Sequence, residues 1–353
     1  MNPEPPYPQI ATALVAWFES VARPLPWRQG YHPYQVWVSE IMAQQTRMET
    51  VVPYFKRFME ALPDLASLAA VDEDRLIKLW EGLGYYSRAR NLKKAAQQIT
   101  ELHQGQVPQN RTDLEALAGI GPYTAGAILA IAFNQPEPLV DGNIERVLSR
   151  LLDLKDNVKS APGRAVLVRT VTQILLSGEP RQLAQGMMEL GAMFCSPKNP
   201  NCTSCPLSAF CLALSRGTCA ERPVLPERKK AIKQQKTIFI FEHQGHLYLE
   251  QQPAGALWTK MLLFPMLENP VGSENAAELA FDHHQVTTNP TKLGGFRYSV
   301  TCYQVQAEVW LAPLDHRPDW PGQWETPAAL QAQGLPRPAL KSLGLFLENF
   351  RTP

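Results

Sequence analysis

The sequence predicts a multidomain protein, an all-α domain followed by a smaller α+β domain, and three features carry that expectation. Apolar residues recur at helical spacing from residue 10 to about residue 214, with frequent Pro and Gly stops. Four cysteines crowd into residues 195–211 and mark a metal-binding loop at the end of the helical part. A basic stretch, ERPVLPERKKAIKQQK (residues 221–236), then separates it from segments that alternate as strands do.

With 353 residues, 45% of them hydrophobic and 19% charged, the chain has enough apolar material for two cores. No uncharged apolar run approaches the roughly 18 residues of a membrane span, and the start MNPEPPYPQI lacks the regions of a secretory signal. No membrane partner is expected, and the expected compartment is the cytoplasm. Net charge is only +1, but residues 1–236 carry 27 Lys/Arg against 22 Asp/Glu and residues 237–353 carry 7 against 11. The opposite signs suit a first part that faces a polyanion, although so small an excess also fits a solvated surface.

The helical part is placed at residues 1–220, with helices expected at residues 36–42, 76–80 and 125–132. LAGIGPYTAGAI (residues 117–128) reads as a helix–hairpin–helix. Gly119 and Gly121 turn the chain, and Pro122 takes the favoured first position of a helix. Such a turn can present N–H groups to a DNA phosphate, but Gly-x-Gly turns also join helices in proteins that never meet DNA. In VDGNIERVLSR, Asp141 sits where a residue caps the helix of residues 144–151. Glu40 lies in YQVWVSEIMAQQT among Val36, Trp37, Ile41 and Met42, surroundings that raise a carboxyl pKa. An isolated helical Glu is most often solvated, so the apolar neighbours are the informative feature.

Cys195, Cys202, Cys205 and Cys211 have the spacing Cys-x6-Cys-x2-Cys-x5-Cys, so four thiolates can close on one metal centre. Zinc sites usually pair two close cysteine couples and only one exists here, while iron–sulfur cubanes accept freer spacing. Both remain open on spacing alone. Cys219 and Cys302 lie outside the pattern. Beyond the tether, residues 237–353 show strands around a turn at Gln244-Gly245, a strand pair or long strand in YSVTCYQVQAEVWLA, and a closing helix near residues 339–349.

Taken together, SEIMAQQT, the hairpin, VDGNIERVLSR and the cysteine spacing resemble the MutY adenine DNA glycosylases of the helix–hairpin–helix, endonuclease III superfamily. The resemblance covers essentially the whole chain, dense from about Leu25 to Cys211 and thin afterwards. It implies a glycosylase domain with a [4Fe-4S] cluster on the four cysteines and a Nudix-like C-terminal domain. It also implies a monofunctional enzyme, sufficient as a monomer and bacterial, nucleoid-associated in setting, that excises adenine opposite 8-oxoguanine or guanine in double-stranded DNA.

By the same resemblance, Glu40 is the acid, Asp141 stabilises the cationic sugar, and Tyr123 and Asn143 assist. Trp27 and Arg28 of LPWR and Glu189 of MMELGAMFC line the base pocket. Gln45, and Tyr85 of GLGYYSRARNL, fill the gap left by the base, while Thr46 and Leu83 approach the oxidised guanine. The cluster folds its loop and aims Lys198 or nearby amides at phosphate.

The sequence departs from the family in places. Ala43 replaces a more usual leucine, the glutamate-rich Nudix signature is missing, and Val300-Thr301-Cys302 stands where Phe-Ser-His is common. Thr301 keeps a hydroxyl for the opposite base, and His283, His284 and Tyr298 are nearby candidates for the lost imidazole. Two rivals remain. One is an endonuclease III-like glycosylase and lyase, opposed by Tyr123, which stands where lyases carry the lysine of a Schiff base. The other is a catalytically silent hairpin and iron–sulfur DNA-binding module, opposed by the presence of both carboxylates.

Overall fold

Prolines set many of the helix starts, because a first-turn proline sacrifices no intrahelical hydrogen bond and arrives with a helical φ. The computed structural model describes residues 4–227, 230–268, 276, 278, 280, 284 and 287–350. Proline occupies the first turn of α1 (Tyr7–Val21) and α2 (Pro33–Ala43). It does so again in α8 (Pro122–Ala127), α10 (Ala161–Leu176) and α11 (Pro180–Met193). Between them run α3 (Met48–Ala61), α4 (Leu65–Ala70), α5 (Glu73–Trp80), α6 (Ser87–Leu102), α7 (Arg111–Glu115) and α9 (Gly142–Leu151), with α12 (Leu212–Ser215) closing the series. Asp64, Asp72, Asn110, Asp141 and Ser160 cap their helices through side-chain oxygens, each accepting a backbone N–H that would otherwise be orphaned.

By contacts the chain divides into two units, residues 1–71 with 90–227 and residues 72–89 with 228–353. The first unit packs Leu14, Ile131, Leu148, Val171 and Leu190 into one buried cluster. In its hairpin, Gly119 alone needs the left-handed region, at φ +76°, and a Cβ there would meet the Asn91 Cβ at 2.7 Å. Gly121 is extended and caps α8, so the turn uses one glycine for conformation and the other for its helix start. The helix of α8 continues as a π-turn over Ile128–Ala132, within the stretch expected to be regular α-helix.

The tether expected at residues 221–236 is incorporated at both ends. Arg222 is buried and ion-pairs with Asp153 at 2.8 Å, Val224 accepts the Val158 N–H at 3.1 Å, and the first strand starts at Ile232. A buried carboxylate explains the first attachment, since Asp153 requires cationic partners and takes Arg216 as well.

The second unit is built on a sheet of order β3-β2-β1-β6-β5, with β4 on β1 and β7 on β2. The strands are β1 (Ile232–His243), β2 (His246–Gln251), β3 (Leu262–Leu263), β4 (Met266–Glu268), β5 (Thr291–Val300), β6 (Tyr303–Pro313) and β7 (Gln323–Glu325). Strand β1 runs parallel to β6 and is buried on both faces. Ile238 and Ile240 join one cluster with Leu343 and Phe346 of the last helix, while Phe239 and Phe241 join another with Trp310, Ala276 and Ala280. Two helices close the unit, α13 (Pro327–Ala332) and α14 (Arg337–Asn349), the latter where the sequence placed it. Strands β5 and β6 form a hairpin with a two-residue turn, Thr301-Cys302, between the paired Val300 and Tyr303. Among the described residues no helix is long and apolar enough to cross a membrane.

Among the glycines of the first unit, Gly126 allows a side chain least room, since a Cβ there would lie 2.1 Å from the Pro138 carbonyl oxygen. That oxygen already accepts from Arg111 Nη2 at 2.9 Å, so it is fixed. Gly126→Ala is therefore expected to cost about 2 kcal/mol or more, read as a lowered urea midpoint at unchanged slope.

Candidate active site and cysteine cavity

Helix α2 buries almost every residue from Tyr34 to Met42, and Glu40 goes in with them, 6% exposed. Removal from water is the main reason its pKa rises from 4.5 to about 7. The Tyr123 hydroxyl donates to Glu40 Oε2 at 2.8 Å and pulls the other way, the Asp141 carboxylate raises the value further, and Arg28 lowers it. Tyr123 itself, the second residue of α8, is held far above its ordinary pKa by burial and by both carboxylates. It therefore stays a neutral donor.

Asp141 closes the group from the start of α9. Burial raises its pKa too, but Oδ1 accepts the Ile144 N–H at 2.8 Å and Oδ2 accepts from Asn143 Nδ2 at 2.9 Å, and these bonds support the anion. The capping role and the site role fall on one side chain. Asn143 is itself fixed, since Oδ1 accepts from Arg146 Nη2 at 2.9 Å.

A second constellation involves Arg28 and Glu189. Glu189 is 1% exposed and takes Arg28 Nη2 at 2.7 Å and Arg23 Nε at 2.8 Å, while Arg28 Nε also donates to Gln185 at 2.7 Å. Trp27 is buried edge-on against Phe55. The sequence had singled out Trp27, Arg28 and Glu189 but not Arg23 or Gln185. Arg23 precedes LPWR with no local signal, and its partner lies 166 residues away.

Gln45 follows α2 exposed, with φ +58°, and Thr46 donates to the Gln44 carbonyl at 3.3 Å. Leu83 and Tyr85 belong to the second unit. Leu83 is buried, whereas Tyr85 is 49% exposed with φ +48°. Thr301, also in the second unit, is exposed with φ +50° at the tip of the β5–β6 hairpin. Tyr298 is buried with its hydroxyl 3.7 Å from Met266 Sδ, His284 packs on Phe241 and Trp320, and His283 lies outside the described residues.

Cys195, Cys202, Cys205 and Cys211 line one cavity, together with Cys219, Arg150, Leu190 and Leu207. Among the described residues, no three His, Cys, Asp or Glu side chains converge on a single-ion site. The thiols instead surround a volume. Burial raises the pKa of Cys202 and Cys211, and that of Cys205 to about 11, so their thiolates need a cationic centre. The buried Arg150 supplies part of that charge, donating to Cys195 Sγ at 3.3 Å and to the carbonyls of Ser196 and Pro197. Arg146 donates to the carbonyls of Cys195 and Gly191 at 2.6 and 2.7 Å. These two arginines, four apart on α9, were visible in ERVLSR but carried no motif that named them. Four thiols and a buried guanidinium facing one cavity fit a metal–thiolate group.

A family model described as the HhH-GPD superfamily of base excision DNA repair proteins matches residues 38–165. An adenine DNA glycosylase of Buchnera aphidicola subsp. Schizaphis graminum is 31% identical over 343 residues, covering 94% of this chain and 97% of its own. One from subsp. Baizongia pistaciae is 34% identical, covering 71% of this chain and 72% of its own. The Homo sapiens adenine DNA glycosylase is 38% identical over 213 residues, covering 58% of this chain and 39% of its own. Among solved structures, a trapped endonuclease III–DNA covalent intermediate superposes with a TM-score of 0.51 at 25% identity, over 60% of this chain and 98% of that one.

The pH dependence of stability follows from Glu40. Its folded pKa near 7 exceeds the unfolded 4.5, so the folded state holds the proton more tightly and that stabilisation is lost as pH rises from about 4.5 to 7. Glu40→Gln removes the titration. The variant is expected to gain about 3 kcal/mol relative to wild type between pH 4 and pH 8, measured by denaturant unfolding across that range.

Proposed function

The chain belongs to the adenine DNA glycosylase family, and from that premise we propose that it excises adenine mispaired with 8-oxoguanine or guanine in duplex DNA and leaves an abasic site. The observation that carries this reading is the trio of buried Glu40 with half-buried Tyr123 and Asp141, in which Tyr123 donates to Glu40 at 2.8 Å. A carboxyl with a pKa near 7 is matched to proton donation at neutral pH.

In the proposed reaction adenine is turned out of the helix into a pocket bounded by Trp27, Arg28 and Glu189. Glu40 gives a proton to a ring nitrogen, and the N-glycosidic bond breaks with its electron pair leaving on the base. The sugar becomes an oxocarbenium-like cation, which the Asp141 carboxylate faces with no reorganisation because α9 and Asn143 already hold it. With the proton from Glu40 on its ring, adenine leaves neutral; water then adds at C1′ and gives its proton to the Glu40 carboxylate, which restores the acid. No amine stands at position 123, so no Schiff base forms and the strand stays intact until treated with alkali.

Gly119 and Gly121 bring backbone N–H groups to phosphate, and Gln45 and Tyr85 occupy the space that the extruded base vacates. Leu83, Thr46 and Thr301 bear on the opposite base. Cys195, Cys202, Cys205 and Cys211 would hold a [4Fe-4S] cluster, which would supply the cationic centre that the thiolates require. The chemistry needs only one chain and DNA, and a cytoplasmic, nucleoid-associated setting suits it.

The test is single-turnover excision on duplexes that differ only in the base opposite adenine. Release is expected fastest opposite 8-oxoguanine, slower opposite guanine and slowest opposite thymine, with strand cleavage only after alkali. Glu40→Gln and Asp141→Asn are each expected to lose about 10²-fold or more. Wild-type turnover by either variant would remove the assigned roles, and equal rates opposite 8-oxoguanine and guanine would remove the specialised reader.

A further inference from the structure

Residues 72–89 sit in the sequence between helices of the first unit, yet their contacts place them in the second. Their attachment is polar and specific. Lys78 Nζ donates to the carbonyls of Gln331 and Gln333 at 2.7 and 3.0 Å and to Glu81 Oε2 at 2.8 Å. Glu81 Oε1 accepts the Leu335 N–H at 2.9 Å, and the Tyr86 hydroxyl donates to the Leu335 carbonyl at 2.9 Å. Gly334 lies so close to α5 that a Cβ would meet Ile77 Cγ2 at 2.6 Å and Lys78 N at 2.9 Å. Leu335 itself is fully buried in the cluster that contains Leu330, Ala339 and Leu343.

What these bonds enclose is the turn that presents Tyr85. Gly82 and Gly84 take φ +97° and +71°, and Tyr85, no glycine, is held at φ +48°. Trp80 Nε1 donates to the Gly84 carbonyl at 3.1 Å, and Arg88 Nη2 donates to those of Leu83 and Gly84 at 3.1 and 3.0 Å. The Arg88 guanidinium also lies over both the Trp80 and Tyr85 rings. A left-handed non-glycine residue persists only where its surroundings over-determine it. The bonds from Glu81 and Tyr86 to Leu335 fix both ends of this turn, one residue before Gly82 and one after Tyr85.

We propose that Gly334 and Leu335 of the C-terminal unit, through Glu81 and Tyr86, are the positioning residues for the Tyr85 wedge, so that the C-terminal unit governs extrusion of the base. The inference rests on the wedge role given to Tyr85 above. It makes Glu81 and Tyr86 positioning residues that touch no reacting atom. A wedge displaced by about 1 Å loses much of its effect on the step it serves, on the order of tenfold or more.

The test uses the full chain in an Asp141→Asn background, with 2-aminopurine beside the mispaired adenine reporting unstacking, and in parallel the active chain in single-turnover excision. Tyr86→Phe and Glu81→Gln are each expected to slow the fluorescence rise and excision by a common factor of about ten. In a Tyr85→Ala background they should add nothing further. Unstacking at the wild-type rate in both variants, or losses that multiply with that of Tyr85→Ala, would overturn the proposal, including where thermal stability falls. A Tyr85→Ala chain that unstacks normally would sink the wedge and its anchor together. A wild-type chain that shows the anchor-dependent unstacking but releases no adenine would refute excision and uphold the anchor.

Discussion

Two carboxyl groups, Glu40 and Asp141, lie close enough to feel each other's charge, and the first unit holds each through different partners. Burying a carboxylate without partners is costly, and burying two side by side adds their repulsion. The structure resolves this unequally. Asp141 stands at the start of α9 with a backbone N–H and the Asn143 amide on its two oxygens. Glu40 receives one hydroxyl hydrogen bond, from Tyr123. The hydrogen bonds on Asp141 favour its anion, and burial leaves Glu40 holding a proton near neutrality; in the proposed reaction this difference separates acid from charge stabiliser.

Helix α9 carries that arrangement to the cysteine loop. Its first turn is capped by Asp141, its middle turn presents Arg146, and its last turn presents Arg150. Arg146 joins the Asn143 side chain to the Cys195 carbonyl, and Arg150 reaches Cys195 Sγ and the Cys219 carbonyl. One rigid element therefore orients the site aspartate and ties down the loop that lines the cavity. Such support holds a side chain to the few tenths of an ångström that a preorganised site requires. The Arg28–Glu189–Arg23 group uses the same device, with a deeply buried anion fixed by two cations from the segment around LPWR.

Local chemistry made much of this legible in the sequence. Asp141 ahead of Gly-Asn-Ile announces a helix cap, the alternation after residue 237 announces strands around the turn at Gln244-Gly245, and the cysteine spacing announces four thiols that meet. What local patterns do not encode is which partner a segment chooses. The helix at residues 76–80 was readable from its period, but its membership of the C-terminal unit depends on Lys78 and Glu81 meeting carbonyl and amide groups more than 250 residues away. Arg222 looked like part of an exposed basic tether because its buried partner, Asp153, lies in an unremarkable turn. Gly121 looked conformationally special beside Gly119, yet its backbone is extended and any residue could adopt it.

In the proposed reaction Glu40 is the proton donor, its acidity weakened by burial and partly restored by the Tyr123 hydrogen bond. The most direct measurement is the pH profile of single-turnover adenine release by wild type and Tyr123→Phe. Wild-type rates should fall as pH rises through about 7, the pKa of Glu40. Because the Tyr123 hydrogen bond lowers that pKa, its removal should move the falling limb to higher pH, whatever happens to the maximal rate. A limb that stays in place, or moves to lower pH, would rule out Glu40 as a proton donor tuned by Tyr123.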